Sequence, residues 1–460
     1  MAVRTPVVMT VVPTAARVRV RPMAVRTPMV MTAAPTERPD RTSMLNRCVA
    51  TDTGSFAAQY WGRRPLLSRA DALPRDYTDL LSEATVDELI AERGVRAPFI
   101  RMAAEGALVP RDCYLGSAGF GAEMPDQVDS AKVLARFAGG ATIVLQGLHR
   151  LWPPLIDFVR GIVDDLGHPA QANAYVTPPN SRGFDPHYDV HDVFVLQAAG
   201  RKRWIVHEPV HADPLPSQPW TEHRAAIAAR SGEAPVLEAV LSPGDALYLP
   251  RGWIHSAEAL EGTSIHLTIG VSPVTAIEVA HAVVDTLAQS EDFRRSLPMG
   301  VDGADRGALA AMATKIMTEM VDAMRIRAAE VGDGAAERLS RRHAERTRPV
   351  AVRPLATLEA AASAETTAVS WRRGLVTELE MLAERVVLRL PDRTITFPPS
   401  CGPAVEALRH GLVVDAESTP GLDRADATVL IRRLLREAVV VPAVAHPNGQ
   451  GGEPVSRGHG

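Results

Sequence analysis

Two histidines and an aspartate in this chain are spaced to hold a metal ion. His187 and Asp189 stand two residues apart in a stretch that reads as extended chain, so their side chains project to one face. A second histidine, His255, comes after the tight turn Pro243-Gly244-Asp245 and the apolar run Ala246-Leu247-Tyr248-Leu249. Two imidazoles and one carboxylate occupy one face of a metal and leave adjacent positions open, the arrangement of non-haem Fe(II) oxygenases. The chemistry requires it, because a co-substrate chelates the iron while dioxygen still finds a vacant position. A lone His-x-Asp is a weak signal, so the weight falls on what surrounds it.

Those surroundings are short strands and turns. Ala172 to Val176 alternates as a strand, and Thr177 to Gly183 is rich in turn residues. Val193 to Gln197 and Lys202 to Val206 flank a turn at Ala199-Gly200, which is hairpin chemistry. A further strand, Ser264 to Val271, follows the second histidine. Ligands near the ends of such strands predict a small antiparallel barrel with a metal in its mouth.

The run His187-Tyr188-Asp189, with Asp192 to Gln197, Gly200 to Trp204 and Gly244 to His255, resembles the JmjC-type, cupin-like ribosomal oxygenases. Phe56 to Leu67 and Ile143 to Leu155 are similar to that family's entry segment and pre-barrel helix. Specific motifs carry the resemblance from Phe56 to Val271, and it continues more loosely toward Pro442. It implies a mixed α+β chain: a double-stranded β-helix, then a helical dimerisation module and a winged-helix-like C-terminal domain. It also implies Fe(II)- and 2-oxoglutarate-dependent hydroxylation of a protein side chain, with a ribosomal protein as the expected substrate. Carried over residue by residue, His187, Asp189 and His255 bind the iron and Lys202 binds the distal carboxylate of 2-oxoglutarate. Asn173, Tyr175 and Thr268 match positions lining the co-substrate pocket, and no catalytic residue beyond the metal ligands is implied.

Lys202 draws attention without the resemblance. The chain has only three lysines, Lys132, Lys202 and Lys315, and one of them sits within Gly200-Arg201-Lys202-Arg203-Trp204. A compact ammonium on a flexible stem fits a narrow barrel where a planar guanidinium does not. The plainer alternative is a solvated charge beside a hairpin turn. Among the other histidines, His191 continues the period of His187 and Asp189 and is expected in the pocket or at its rim. His266 reads equally as a core histidine or as a group that orients others near the co-substrate. His149 and His207, beside Arg150 and Glu208, read as surface residues.

Two other function classes use the same residues. A small-molecule oxygenase of secondary metabolism would differ only in its substrate groove. A non-catalytic, metal-binding regulator with a vestigial barrel is disfavoured because all three ligands and Lys202 are intact.

Composition bounds the rest. A chain of 460 residues has room for two or three domains. Its formal net charge of -4 makes no global case for nucleic acid as a partner. Cys48, Cys113 and Cys401 are too scattered for a zinc ribbon or a disulfide framework, which suits a reducing cytoplasm. No apolar run approaches the roughly eighteen residues that span a bilayer.

The expected domains follow composition and periodicity. Residues 1–44 form an arm in which Met1 to Thr10 recurs as Met23 to Thr32 with one difference, and scattered prolines make it a disordered segment or one upstream of the true start. The catalytic domain takes residues 45–275. In the helical module and linker, 276–350, a helix spans Ala276 to Leu297. A second helix carries Leu309, Met312, Ile316, Met320 and Ala323 along one stripe, which predicts a homodimer. Arg338 to Pro349, dense in arginine, reads as a solvated linker or a basic rim. Residues 351–445 form a small α/β unit: a hairpin from Arg385 to Phe397, helices at Pro403 to His410 and Ala425 to Glu437, and a strand at Ala438 to Val441. The glycine-rich tail, 446–460, reads as disordered.

Overall fold

The computed structural model describes residues 43–104, 106–121 and 123–443. The expectations for the arm before Ser43 and for the tail from 446 lie outside the described residues.

An eight-stranded sheet forms the larger wall of the barrel. Its spatial order is Leu66–Ser68, Ala246–Leu249, Asp192–Ala199, Ser264–Val271, Ala170–Thr177, Thr142–Leu145, Ile100–Ala104 and Ala107–Leu108. The facing wall has three strands, Leu237–Leu241, Lys202–His207 and Ile254–Ala259. All of these pairings are antiparallel. The strand Asp192–Ala199 is apolar almost throughout because both its faces are covered. Val193 and Val195 meet Trp204, Val206, Ala239 and Leu241 between the walls, while Phe194, Leu196 and Ala198 pack outward into the main core. A strand buried on both sides loses its alternation and reads as a continuous hydrophobic run.

Outside the large sheet lies the helix Pro153–Leu166, which buries Leu155, Phe158, Val159, Ile162 and Val163 and ends at Gly167 with φ 71°. Proline at the helix start and a left-handed glycine at its end are the expected boundary signals. This corrects the reading of Ile143 to Leu155 as one helix. Thr142–Leu145 is a fully buried β-strand, and a left-handed Gly147 precedes a short 3-10 turn before the helix begins.

The entry segment closes one edge of the large sheet. Phe56 packs edge-on against Tyr248 at 4.9 Å between centroids, and Trp61 stacks on Tyr248 at 6.0 Å and on His168 at 5.5 Å. Gly62 donates its N–H to the Tyr248 hydroxyl at 2.9 Å. Asp245, almost wholly buried, accepts from Ala70 N, Ser242 N and Arg69 Nη1 at 2.8–3.0 Å. These bonds fix the turn from which the strand leading toward His255 departs.

Beyond the barrel, the expected helix Ala276 to Leu297 stops at Leu287, and a short turn of helix, Glu291–Arg294, follows the break at Ser290. The helix Arg306–Ile326 carries the apolar stripe, yet none of its residues is buried. Arg338 to Pro349 is not a linker. It belongs to the helix Ala328–Thr347, whose Val331 and Ala335 are buried and whose Arg346 pairs with Glu278. Alanine, glutamate and arginine are strong helix formers, and Glu337 with Arg341 adds a favourable pair at four-residue spacing.

The C-terminal unit has its own core around Leu388, Phe397, Val405, Leu430 and Leu434. The strands Glu378–Leu382, Arg385–Arg389 and Thr394–Phe397 form one small sheet, and Val369–Trp371 with Val440–Pro442 another. Of its helices, Gly402–Arg409 and Arg424–Arg436 bury apolar positions in step with the sequence periodicity, whereas Pro354–Ala362 buries Thr357 and Ala361 and leaves Leu355 and Leu358 exposed. Arg373 pairs with Asp164 at 2.9 Å and Arg160 donates to Thr347 O at 2.6 Å, so the helix Pro153–Leu166 touches both later units.

Candidate active site

His187 and His255 come together as an isolated antiparallel bridge, with ring centroids 4.6 Å apart. The loop before His255 is pinned to the chain after Asp189. Gly252 donates its N–H to Asp189 O at 3.0 Å, and Arg251 N donates to Asp192 Oδ1 at 2.8 Å. Burial pushes the Asp192 carboxyl up to about 6. The ligand atoms of His187, Asp189 and His255 all lie within 4.8 Å of one another. No other such cluster exists among the described residues.

The protonation states suit a cation. His187 Nδ1 lies 2.7 Å from Asp185 O, and His255 Nδ1 lies 3.0 Å from Trp253 O. Each backbone carbonyl calls for a proton on Nδ1, which leaves a lone pair on both Nε2 atoms and fixes the ring orientation. Burial first, then the neighbouring His187, pushes His255 down to about 4, so this imidazole stays neutral at physiological pH. Burial raises the Asp189 carboxyl, but the imidazoles of His191, His255 and His187 outweigh it and hold it below its usual range.

On one side of the three donors lies a narrow chamber of about 70 Å³ between the two walls. Lys202 lines it and is 4% exposed. Its Nζ donates to Thr177 Oγ1 at 3.0 Å, and Thr142 Oγ1 donates to the same oxygen at 3.2 Å. No carboxylate among the described residues pairs with this ammonium, and burial lowers it to about 7. Trp204 Nε1 and His266 Nδ1, also on residues lining the chamber, are buried without a hydrogen-bond partner among the described residues. A buried cation with orphaned polar atoms around it is the lining expected for a small anion.

On the other side a cleft of about 810 Å³ opens outward. Asp189, Tyr175 and Thr268 line it, with Asn173, Arg101, His149 and Arg346. Tyr175 and Thr268 therefore border both spaces, whereas Asn173 lies on the cleft and its Oδ1 accepts from Gly147 N at 3.0 Å. His266 is 3% exposed and stacks flat on Tyr175 at 5.0 Å, so it belongs to the core and to the chamber wall at once.

Two histidines depart from the surface reading. His149 is half-buried, accepts from Ala172 N through Nδ1 at 3.1 Å, and is pushed down to about 4 by burial and by Arg150. His207 is buried at the end of its strand, where burial lowers its pKa. Arg101 is absent from the sequence reading altogether. It reaches the cleft from the Ile100–Ala104 strand with its guanidinium 5.7 Å from the Phe184 ring, and nothing in its local sequence marks it.

Residues 158–279 match the model of the JmjC domain family, and the three donors and Lys202 lie within the matched segment. The chain is 35% identical over 181 residues to ribosomal oxygenase 1 of Rattus norvegicus, a match covering 38% of this chain and 30% of the rat protein. It is 29% identical over 274 residues to the bifunctional lysine-specific demethylase and histidyl-hydroxylase NO66 of Aedes aegypti, covering 55% of this chain and 39% of that one. The chain thus spans well under half the length of these curated relatives. Among solved structures, the Escherichia coli ribosomal oxygenase YcfD in complex with cobalt and succinic acid overlaps 85% of this chain and 98% of its own, at 18% identity and a TM-score of 0.49.

Proposed function

We propose that this chain is an Fe(II)- and 2-oxoglutarate-dependent oxygenase that hydroxylates a protein side chain, with a ribosomal protein as its substrate. The observation that carries the reading is the buried Lys202 ammonium, unpaired in a chamber that adjoins two imidazoles and a carboxylate within 4.8 Å of one another. The names of the relatives, ribosomal oxygenase and histidyl-hydroxylase, support the substrate class.

His187, Asp189 and His255 hold the metal, and the donor set of two neutral imidazoles and a carboxylate fits Fe(II). Bound iron and 2-oxoglutarate together supply the oxidation, in which dioxygen converts the keto acid to succinate and carbon dioxide and a substrate C–H to C–OH. Lys202 fixes the far carboxylate by a charge-assisted bond, with Thr177 sharing that end of the chamber. Tyr175, His266 and Trp204 form a wall that keeps water from the chamber. The open cleft takes the substrate side chain, and Asn173 and Arg101 offer it polar contacts. The cleft of about 810 Å³ has room for such a side chain.

The later units complete the reading. Residues 276–350 form a dimerisation module, supported by a helix, Arg306–Ile326, that exposes Met317, Val321 and Ile326 and buries nothing. Residues 351–445 act as a winged-helix-like docking unit for the substrate, and the protein works in the cytoplasm. No helix among the described residues is long and apolar enough to cross a membrane. The test is succinate formation on adding Fe(II), 2-oxoglutarate and ribosomal protein, with mass spectrometry locating a gain of one oxygen. Absence of iron-dependent succinate with every ribosomal fraction would refute the proposal.

A further inference from the structure

His191 follows His187 and Asp189 at the same two-residue spacing, yet it is not among the three mutually close donors. Its Nδ1 stands 4.0 Å from Asp189 Oδ2, buried and without a hydrogen-bond partner among the described residues. The facing strand leaves room for the ring at that place. A Cβ added to Gly270 would stand 3.0 Å from both Cδ2 and Nε2 of His191. Gly270 lies inside the strand Ser264–Val271 with no left-handed backbone to require a glycine, so the close approach of the imidazole explains it. Both residues line the cleft beside Asp189.

The Asp189 carboxylate needs such a neighbour. A carboxylate that gives one lone pair to a metal keeps others to be satisfied, and metal-binding carboxylates are in turn hydrogen-bonded. The nitrogens facing Asp189 Oδ2 are His255 Nε2 at 3.8 Å and His191 Nδ1 at 4.0 Å. The first is committed to the metal by its ring orientation, which leaves the second.

We propose that His191 is a positioning residue for Asp189, its Nδ1–H donating to the carboxylate from the cleft side while Gly270 provides the seat for the ring. The inference rests on reading His187, Asp189 and His255 as metal ligands. Closing the gap to hydrogen-bond distance takes a movement of about 1 Å, within reach of either side chain. The effect is on the metal: a carboxylate held in one orientation is ready to ligate, and losing such a partner weakens metal binding roughly ten- to hundred-fold.

The experiment titrates Co(II) into metal-free protein and follows its visible absorption, with no co-substrate and no turnover. His191→Leu weakens Co(II) binding roughly ten-fold or more and shifts the absorption bands, while His191→Asn, which keeps a donor, recovers part of both. Gly270→Ala displaces the ring without altering its chemistry and moves affinity in the same direction. Circular dichroism checks that each variant is folded. Should His191→Leu not fold, His191→Asn against Gly270→Ala still decides the outcome. Equal Co(II) affinity in the folded variants and the unmodified protein overturns the role of His191. No Co(II) binding by the unmodified protein overturns the ligand assignment itself.

Discussion

His187 and His255 exchange backbone hydrogen bonds: the His255 N–H donates to His187 O at 2.8 Å, and the His187 N–H donates to His255 O at 3.2 Å. Residues paired in this way across antiparallel chain project their side chains to the same face. The distance between the two imidazoles is therefore set by the main chain and not by side-chain packing, and the site is built before any metal arrives.

Substituting alanine for His187, Asp189 or His255 removes one of three donors from that preformed site. Iron content after reconstitution and succinate formation should fall together, to background in each case. An Asp189→Ala protein with full iron content and unaltered succinate yield would contradict the assignment.

Lys202→Ala removes the cation in the chamber and leaves the three donors in place. A charge-assisted bond in a partly dehydrated site contributes on the order of 1.5–3 kcal/mol, so 2-oxoglutarate affinity should drop roughly ten- to hundred-fold. Lys202→Arg should recover only part, because the guanidinium is wider than the space. The readout is 2-oxoglutarate titration of iron-loaded protein, and unchanged affinity in Lys202→Ala would assign the distal carboxylate to another residue.

Burial lowers Lys202 to about 7 in the ligand-free fold, from the ordinary 10.5. Between these values the unfolded chain holds a proton that the folded chain does not, so ligand-free stability rises with pH across that window. Below about 7 the ammonium is charged in both states and its burial penalty is at its full value. A bound carboxylate restores the proton, so 2-oxoglutarate affinity should weaken as pH rises above about 7. Calorimetry in buffers of different ionisation enthalpy should record proton uptake at about pH 8 and little at about pH 6. Equal uptake at both would contradict a neutral lysine in the empty chamber.

Ile316 and Met320 lie half-buried on the helix Arg306–Ile326, whose apolar stripe the single chain covers only in part. Replacing both by glutamate places charge in the seam of the expected homodimer, at a cost of several kcal/mol. Light scattering should find a dimer for the unmodified protein and a monomer for the double variant. A monomeric unmodified protein would end this reading.

Gly200 turns the hairpin between the strands Asp192–Ala199 and Lys202–His207 with φ 63°. A Cβ there would collide with the Thr263 carbonyl oxygen, a main-chain atom. Gly200→Ala should destabilise the protein by about 2 kcal/mol or more. A melting temperature equal to that of the unmodified protein would show that the turn can relax.

The candidate metal donors were legible because two of them stand at a spacing of two and the third follows a strong turn signal, although His187 forms only an isolated bridge and Asp189 lies outside the strands. Lys202 was legible through its rarity and its place beside the Ala199-Gly200 turn. The cleft was not, because Arg101, His149 and Arg346 reach it from three separate segments and no local pattern links them. His149 read as a surface residue because it precedes an arginine, and only the bond from Ala172 N reveals its inward role. The helix Ala328–Thr347 was hidden because its apolar side is thin: the burial of Val331 and Ala335, and not a wide hydrophobic stripe, holds it.

On the proposed function, the buried lysine couples the stability of the fold to its co-substrate. A ligand that binds only the folded state stabilises it by mass action, by about 2.7 kcal/mol at a hundred-fold excess over the dissociation constant. The bond to Lys202 is one of the contacts that set that dissociation constant. On the proposed function, the ligand-free form should therefore open more often, and yield faster to a protease, than the form saturated with 2-oxoglutarate.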